Sequence, residues 1–139
     1  MTIAIARRET ATFDCGGAQI RAHCRHLATV VSVRGEIDGL NADAVAQHLQ
    51  RFILGDGSLV LDLIDVSRFA AAGISVLQGF DEECRIVGVE WTLVASPSVI
   101  AMLDDDFPVA HSVREALRDV ADAIVSRRQL VLPLIKKTA

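Results

Sequence analysis

The sequence has no tyrosine, one tryptophan and three cysteines, and it lacks a long uninterrupted apolar segment. An odd, small number of cysteines does not provide the disulfide framework of small secreted domains, so we expect reduced thiols. No run approaches the roughly 18 apolar residues of a membrane span, and no cationic segment followed by an apolar one marks a secretory leader. We therefore expect a cytoplasmic protein with no membrane insertion.

Several catalytic and binding signatures are also missing. The chain has no nucleophile-elbow string, phosphate-binding loop or dinucleotide-binding glycine string, and its four histidines have no evident nucleophile and orienting carboxylate beside them. The formal net charge of -4 argues against a protein whose main task is to bind nucleic acid. We therefore expect a protein that is not an enzyme, that needs no cofactor and that has no nucleic-acid partner.

Two groups of residues resemble metal ligands by type alone. Cys15, His23, Cys24 and His26 do not follow the ligand spacing of structural zinc sites, and successive strand residues point to opposite faces. The run 104–106 consists of aspartates that are able to bind magnesium, but it is more typical of a solvated turn. We expect no metal site.

The composition indicates one globular domain. The 139 residues are 51% hydrophobic and 23% charged, a size and balance that support a single core. We expect a lead-in over residues 1–17, one domain over 18–127 and an apolar tail over 128–139. Pro133 predicts that this tail is neither interior helix nor central strand, and its pairing with a second copy in a homodimer is left open.

Hydrophobic periodicity predicts alternating strands and helices. Strands are predicted at 18–25, 29–34, 58–63, 89–95 and 107–109, and helices at 42–53, 73–87, 97–102 and 113–124. The first two strands read as an antiparallel pair, and the later alternation favours parallel strands with crossover helices. The sequence therefore predicts an α/β sandwich with a mixed central sheet and about four helices. Cys24 and Cys84 fall on its inward faces, whereas Cys15 is expected to be exposed.

Three local strings follow one another at a characteristic separation: Val33-Arg-Gly-Glu-Ile-Asp38, Leu61-Asp-Leu-Ile-Asp-Val66 and Gly73-Ile74. Together they resemble the STAS domain family of anti-sigma-factor antagonists and sulfate transporters. The first is similar to the family's strand that ends in a Gly-Glu-Leu-Asp loop, and the second to its strand before the signature loop. The resemblance covers roughly residues 18–125 and implies a STAS-like fold.

The resemblance also implies a function and a surface. In the antagonists, an Asp-Ser pair precedes the glycine and its serine is phosphorylated by a cognate anti-sigma kinase; here the matching residues are Ala70 and Ala71. This implies a partner-binding regulator that phosphorylation at Ala71 does not switch, with an anti-sigma-factor-like protein as partner. The implied partner surface lies in the loop from Glu36 to Leu40, in the loop after the 58–63 strand and in the first turn of the following helix. Its named residues are Glu36, Asp38, Gly39, Arg68, Phe69, Ala70, Ala71, Ala72 and Gly73.

Alternatives remain open at this stage. Ser67 and Ser75 are the nearest hydroxyls, and we interpret them as a turn former and a helix-surface residue rather than as relocated phosphosites. Phe69 either contributes to the partner surface or turns inward. Rival functions are an accessory subunit of a transporter ATPase, a sensor of nucleotides or lipids, and a redox regulator that uses Cys15.

Overall fold

A computed structural model describes residues 12–25, 27–53, 57–103 and 107–138. Within them, six strands form one sheet in chain order: β1 (Thr12–Asp14), β2 (Ala18–Cys24), β3 (Ala28–Ile37), β4 (Ser58–Phe69), β5 (Trp91–Ala95) and β6 (Val109–Ala110). The helices are α1 (Ala42–Gln50), α2 (Ala71–Val87), α3 (Pro97–Ile100) and α4 (Val113–Thr138). Strands β1, β2 and β3 pair antiparallel and the later neighbours pair parallel, so the predicted mixed α/β sheet is confirmed.

The order of the strands determines where the helices lie. From β3 to β6 each parallel strand is added on the same side of the previous one, and crossovers of one hand then place α1, α2 and α3 on one face. The main core forms there. Its fully buried members include Val31, Val33, Val45, Leu49, Leu59, Leu61, Leu63, Leu77 and Leu93.

The opposite face is covered in part by α4. A second, smaller core joins Ala116 of α4 to residues of four strands, among them Val30, Val60 and Val94. Where α4 does not reach, the sheet carries polar side chains, and its half-buried Asp62 accepts a hydrogen bond from the Ile64 backbone N–H at 3.0 Å. Burial raises the pKa of the Asp62 carboxyl above its ordinary value.

The sheet is larger than the sequence predicts. A strand forms at Thr12–Asp14, inside the expected lead-in, and it pairs with Gln19–Arg21. Strand β3 continues to Ile37 and β4 to Phe69, so residues predicted as loops extend the parallel ladder. Two register shifts in this ladder, at 32–34 and 35–36, interrupt the period-2 pattern, which explains why the sequence predicts shorter strands.

Helix α4 corrects the prediction for the C-terminal tail. It runs from Val113 to Thr138 and contains Pro133 in its interior, so the prediction that this proline excludes interior helix is wrong. A proline removes the one backbone hydrogen bond that its missing N–H would donate, and a helix of this length keeps the bonds on either side. The aspartates at 104–106, the turn residue His26 and most of the lead-in lie outside the described residues.

The cysteines also differ from the prediction at two of three positions. Cys84 is buried on α2 as predicted, but Cys15 is buried and Cys24 is exposed. Cys15 directly follows β1, and its backbone N–H bonds to the Ala18 carbonyl at 2.7 Å, which turns the residue into the core. Cys24 is the last residue of β2. The alternation that buries Ala18 and Ile20 therefore ends before it.

Gly35 joins this part of the sheet to the site described below. It has φ of 99°, and a Cβ here would overlap the backbone oxygen of Gly17. The next residue, Glu36, donates its backbone N–H to that same oxygen at 2.9 Å. Only glycine permits this approach of the two chain segments, so Gly35 fixes the path of β3 towards its end.

Candidate partner-docking site

Two neighbouring strands, β3 and β4, end side by side. Ile37 and Phe69 are register partners, and the backbone N–H of Ala70 donates to the Ile37 carbonyl at 2.9 Å. Each strand then leads into a helix on the same face, α1 from Ala42 and α2 from Ala71. The structure thus brings together the two predicted segments, 36–40 and 68–73, at one edge of the sheet.

The turn after β3 is held by polar side chains. The Asp38 Oδ1 accepts the backbone N–H groups of Leu40 at 2.9 Å and of Asn41 at 3.2 Å. The Asn41 side chain, 3% exposed, donates to the carbonyls of Glu36 at 2.7 Å and Gly16 at 3.1 Å. Its oxygen accepts the Asp38 backbone N–H at 3.0 Å. These bonds fix the turn at both ends.

Asn41 therefore has a different role from the predicted one. It occupies the position before α1, as predicted, but its side chain makes no capping bond to that helix. Its amide bonds to three backbone groups in two segments instead, because the close approach of residues 16–17 places a carbonyl within its reach. An asparagine before an apolar segment of helical period gives the same sequence signal whether its side chain caps the helix or bonds to other backbone groups.

The start of α2 is apolar and has no polar cap. Ala70 is extended, with φ of -88° and ψ of 172°, and no side chain bonds to the first-turn amides. Ala71 is exposed, while Ala70 and Ala72 are half-buried. Ala71 thus lies at the surface, Ala70 lies partly at the surface, and the half-buried Ala72 packs against the main core.

Phe69 does not belong to this surface. Its side chain is 8% exposed and lies against Gly73, where a Cβ would come within 2.5 Å of the ring atom Cε1. The interpretation in which Phe69 turns inward is correct, and its assignment to the exposed surface is wrong. The Phe69 ring instead packs closely against Gly73 at the start of α2. Arg68 remains exposed.

The two nearby serines differ in their surroundings. Ser67 lies on β4, not in a loop, and its Oγ donates to the Gly35 carbonyl at 3.1 Å. Ser75 is exposed on α2, as expected of a helix-surface residue. Glu36 and Gly39 are exposed and Asp38 is half-buried, so the segment before α1 carries acidic groups at the surface.

One exposed residue stands out within the predicted segment 36–40. Leu40, in the turn after β3, is 96% exposed, more than the other large exposed hydrophobic residues among those described. Sequence analysis includes it in that segment but gives it no role of its own. Its position in a rigid turn becomes visible only in the structure.

The described thiols and candidate metal ligands differ in their surroundings from a reactive or metal-binding cluster. Burial, and to a lesser degree the Asp14 carboxylate, raises the pKa of the Cys15 thiol, and burial raises that of Cys84 to about 12. Neither thiol therefore has the thiolate character of a redox sensor. The described part of the chain contains no cluster of three or more metal-ligating side chains. Among the same residues, no helix has the length and apolar character needed to cross a membrane.

Comparison with known proteins assigns the chain to a family. A sequence profile of the STAS domain matches residues 19–123. The chain belongs to the STAS domain family. This match contains both segments of the site, and the six-stranded sheet agrees with the family resemblance of the sequence.

Three relatives define the similarity more closely. Osmosensory protein A of Mycobacterium tuberculosis is 52% identical over 142 residues, covering 96% of this chain and 90% of that protein. An anti-sigma factor antagonist from Mycobacterium paratuberculosis has a similar structure, with 26% identity and a TM-score of 0.63 over 75% of this chain and 94% of that one. RsbS of Moorella thermoacetica shares the fold, with 18% identity and a TM-score of 0.65 over 76% of this chain and 97% of that one.

Proposed function

We propose that this STAS domain is a non-enzymatic cytoplasmic regulator that docks on an anti-sigma-factor-like protein. The docking surface consists of the turn 38–41 with Glu36, the exposed Arg68 and the first turn of α2. The observation that carries the proposal is the side-by-side position of the two strand ends, which joins a rigid acidic turn to an exposed, methyl-lined helix start. Similarity to an anti-sigma factor antagonist supports the class of partner.

We further propose that phosphorylation at the signature position does not regulate this docking. The resemblance places the phosphoacceptor at Ala71, which has no oxygen to modify. A phosphate beside a helix N-terminus adds about -1.5 to -2 charges, enough to create or disrupt an interface. Docking is then controlled by the concentrations of the two proteins and by signals other than phosphorylation at position 71. The name of the relative that is 52% identical suggests a response to osmotic stress as the setting.

Binding measurements test the surface. Purified anti-sigma-factor-like regulators of the source organism are titrated against the unaltered chain and against Ala71→Glu, which places a carboxylate at the exposed helix start. We expect one regulator to bind, and Ala71→Glu to weaken that binding roughly tenfold or more. Ile86→Glu adds the same charge at the far end of α2, where the side chain is 71% exposed, and should change the affinity less than about twofold. Equal loss in both variants would contradict the assignment.

Mass spectrometry tests the missing switch. Incubated with a cognate kinase and ATP, the unaltered chain should gain no phosphate within residues 67–75. The double variant Ala70→Asp/Ala71→Ser restores the acidic residue and hydroxyl and should gain one phosphate. Phosphate on Ser67 or Ser75 of the unaltered chain would overturn this part of the proposal.

A further inference from the structure

The inference concerns Leu40, whose side chain is 96% exposed. A single exposed leucine is ordinary on a protein surface. This one differs because of the turn that carries it. Its own backbone N–H is bonded to Asp38, and the next residue, Asn41, is buried and bonded through its side chain to three backbone groups.

A rigid turn changes what an exposed leucine contributes to binding. Association costs free energy for each loop and side chain that becomes ordered at an interface. Here the backbone is already fixed, because Asp38 also accepts the Asn41 N–H and its carbonyl accepts the Ala42 N–H at 3.0 Å. Only the side-chain rotamer of Leu40 remains to be ordered. The leucine is therefore presented in a preorganised form.

The charges around Leu40 indicate what its partner presents. Between residues 36 and 43 the chain carries Glu36, Asp38 and Asp43 and no basic residue. Glu36 and Asp43 are exposed, and Asp38 is half-buried. The exposed Arg68 lies opposite Glu36, as its register partner on β4. A surface complementary to this turn has an apolar pocket for the leucine and basic side chains at the rim.

We propose that Leu40 is the anchor residue of the docking surface and that it inserts into an apolar pocket with a basic rim on the protein partner. This inference rests on the proposed function and adds the chemistry of the contact. A leucine fully buried in a partner's pocket, with neighbours that exclude water, carries much of the binding energy of an interface. The rim charges contribute mainly to the association rate and to its salt dependence.

The test compares Leu40 with Ile86, a matched exposed aliphatic residue on α2 that is 71% exposed and lies far from the turn. Leu40→Ala, Leu40→Asp, Ile86→Ala and Ile86→Asp are titrated against the purified regulator that binds the unaltered chain. Leu40→Ala should weaken binding about 10- to 100-fold and Leu40→Asp by more, because the buried area is lost and a carboxylate faces an apolar pocket. Both Ile86 variants should remain within about twofold.

Two further measurements make the result specific. A photo-crosslinking amino acid at position 40, but not at position 86, should crosslink to the regulator, and the labelled peptide should be apolar with lysine or arginine nearby. Glu36→Gln combined with Asp43→Asn should reduce the salt dependence of the association rate. Thermal melts that match the unaltered chain show that the variants are folded.

The outcomes separate the two proposals. Binding by the unaltered chain and by Leu40→Asp with equal affinity overturns the role of Leu40 and leaves the docking function in place. Binding to none of the purified regulators overturns the proposed function, and the anchor with it. A crosslink from position 40 to a second copy of this chain, in place of the regulator, also overturns the inference.

Discussion

The turn after β3 and the junction after β4 occupy equivalent places in the fold, because each follows a parallel strand and begins a helix on the same face. The first is held by polar side chains, with Asp38 and the buried Asn41 bonded to the backbone on both sides. The second is held by steric packing of the Phe69 ring against Gly73, and it has no side-chain cap. Hydrogen bonds hold one helix start, and steric packing holds the other.

This difference explains what each junction presents to a partner. Polar bonds within the first turn leave Leu40 outside, since the turn needs no apolar side chain to hold it. The second junction turns its large apolar residue inward, so its apolar surface consists of alanine methyl groups beside the exposed Arg68. Together they form a surface with one projecting apolar side chain and a shallow alanine patch beside it.

The largest expected effect comes from removing the polar support. Asn41→Ala leaves the carbonyls of Glu36 and Gly16 and the Asp38 N–H without their partner, and each unsatisfied buried group costs about 1–3 kcal/mol. We expect the free energy of unfolding to fall by about 3 kcal/mol, measured by urea denaturation. Leu40→Ala, one residue earlier, should change it by less than about 0.5 kcal/mol. Similar losses in the two variants would show that the bonds do not hold the turn.

The steric junction should be the next most sensitive. Gly73→Ala places a methyl group against the Phe69 ring and should destabilise the protein by about 1–3 kcal/mol through overpacking. In a double-mutant cycle, Phe69→Leu should recover part of this loss because the smaller side chain makes room. Strictly additive losses would mean that the two residues do not interact energetically.

Adding a polar cap to the second junction should stabilise it. Ala70 has the extended backbone of a capping residue but no side chain that reaches the first-turn amides. Ala70→Ser should therefore raise the free energy of unfolding by about 1 kcal/mol. Ala71→Ser places a hydroxyl one residue later, inside the helix, and should give no such gain. An equal gain from both would indicate that the helix begins elsewhere.

The smallest expected effect is a pH dependence of stability that arises from α1 and not from α2. His48 of α1 stacks on Phe13 with ring centroids 3.9 Å apart, and its Nδ1 is buried with no hydrogen-bond partner in the described part of the chain. Burial first, and then the Arg51 charge, lower the pKa of His48 below 6.5. The unfolded chain then binds the proton more tightly, so stability is complete above about pH 6.5 and is lost as the pH falls.

His48→Leu tests this dependence. It should flatten the decrease in denaturation midpoint between about pH 6.5 and pH 5, whereas Cys84→Ala on α2 should leave the decrease unchanged. The thiol of Cys84, with a pKa raised to about 12, does not titrate in this range. A slope that is the same with and without His48 would assign the effect to other groups.

Sequence periodicity predicts the middle of each element better than its ends. The buried faces of α1 and of β4 are predicted because apolar residues repeat there at the period of a helix or form a continuous run. At the strand ends, β-bulges shift the register, so the extensions of β3 and β4 are not predicted. Cys15 is buried and Cys24 is exposed, the reverse of the prediction, for a related reason. Their exposure depends on whether β1 pairs and where β2 ends.

The sequence predicts that the segments 36–40 and 68–73 contribute to one surface, and the structure brings these segments together, but the sequence does not predict which of their side chains are exposed. The strings that resemble the family motifs include Gly35 and Gly73, which permit close approaches to Gly17 and to Phe69. The exposure of Phe69 and Leu40 also depends on how the ends of β3 and β4 pair and on the bond from Asn41 to Gly16, which join segments distant in the chain. A residue's own type does not report those contacts.

Local patterns and residue types were enough to predict the fold family, the alternation of strands and helices and the missing hydroxyl at position 71. The roles of Asn41, Phe69 and Leu40 could be read only from the assembled structure. Asn41 bonds to Gly16, and the pairing of Ile37 with Phe69 brings the two strand ends together, so these roles depend on contacts between segments distant in the chain, which exist only after the sheet has formed.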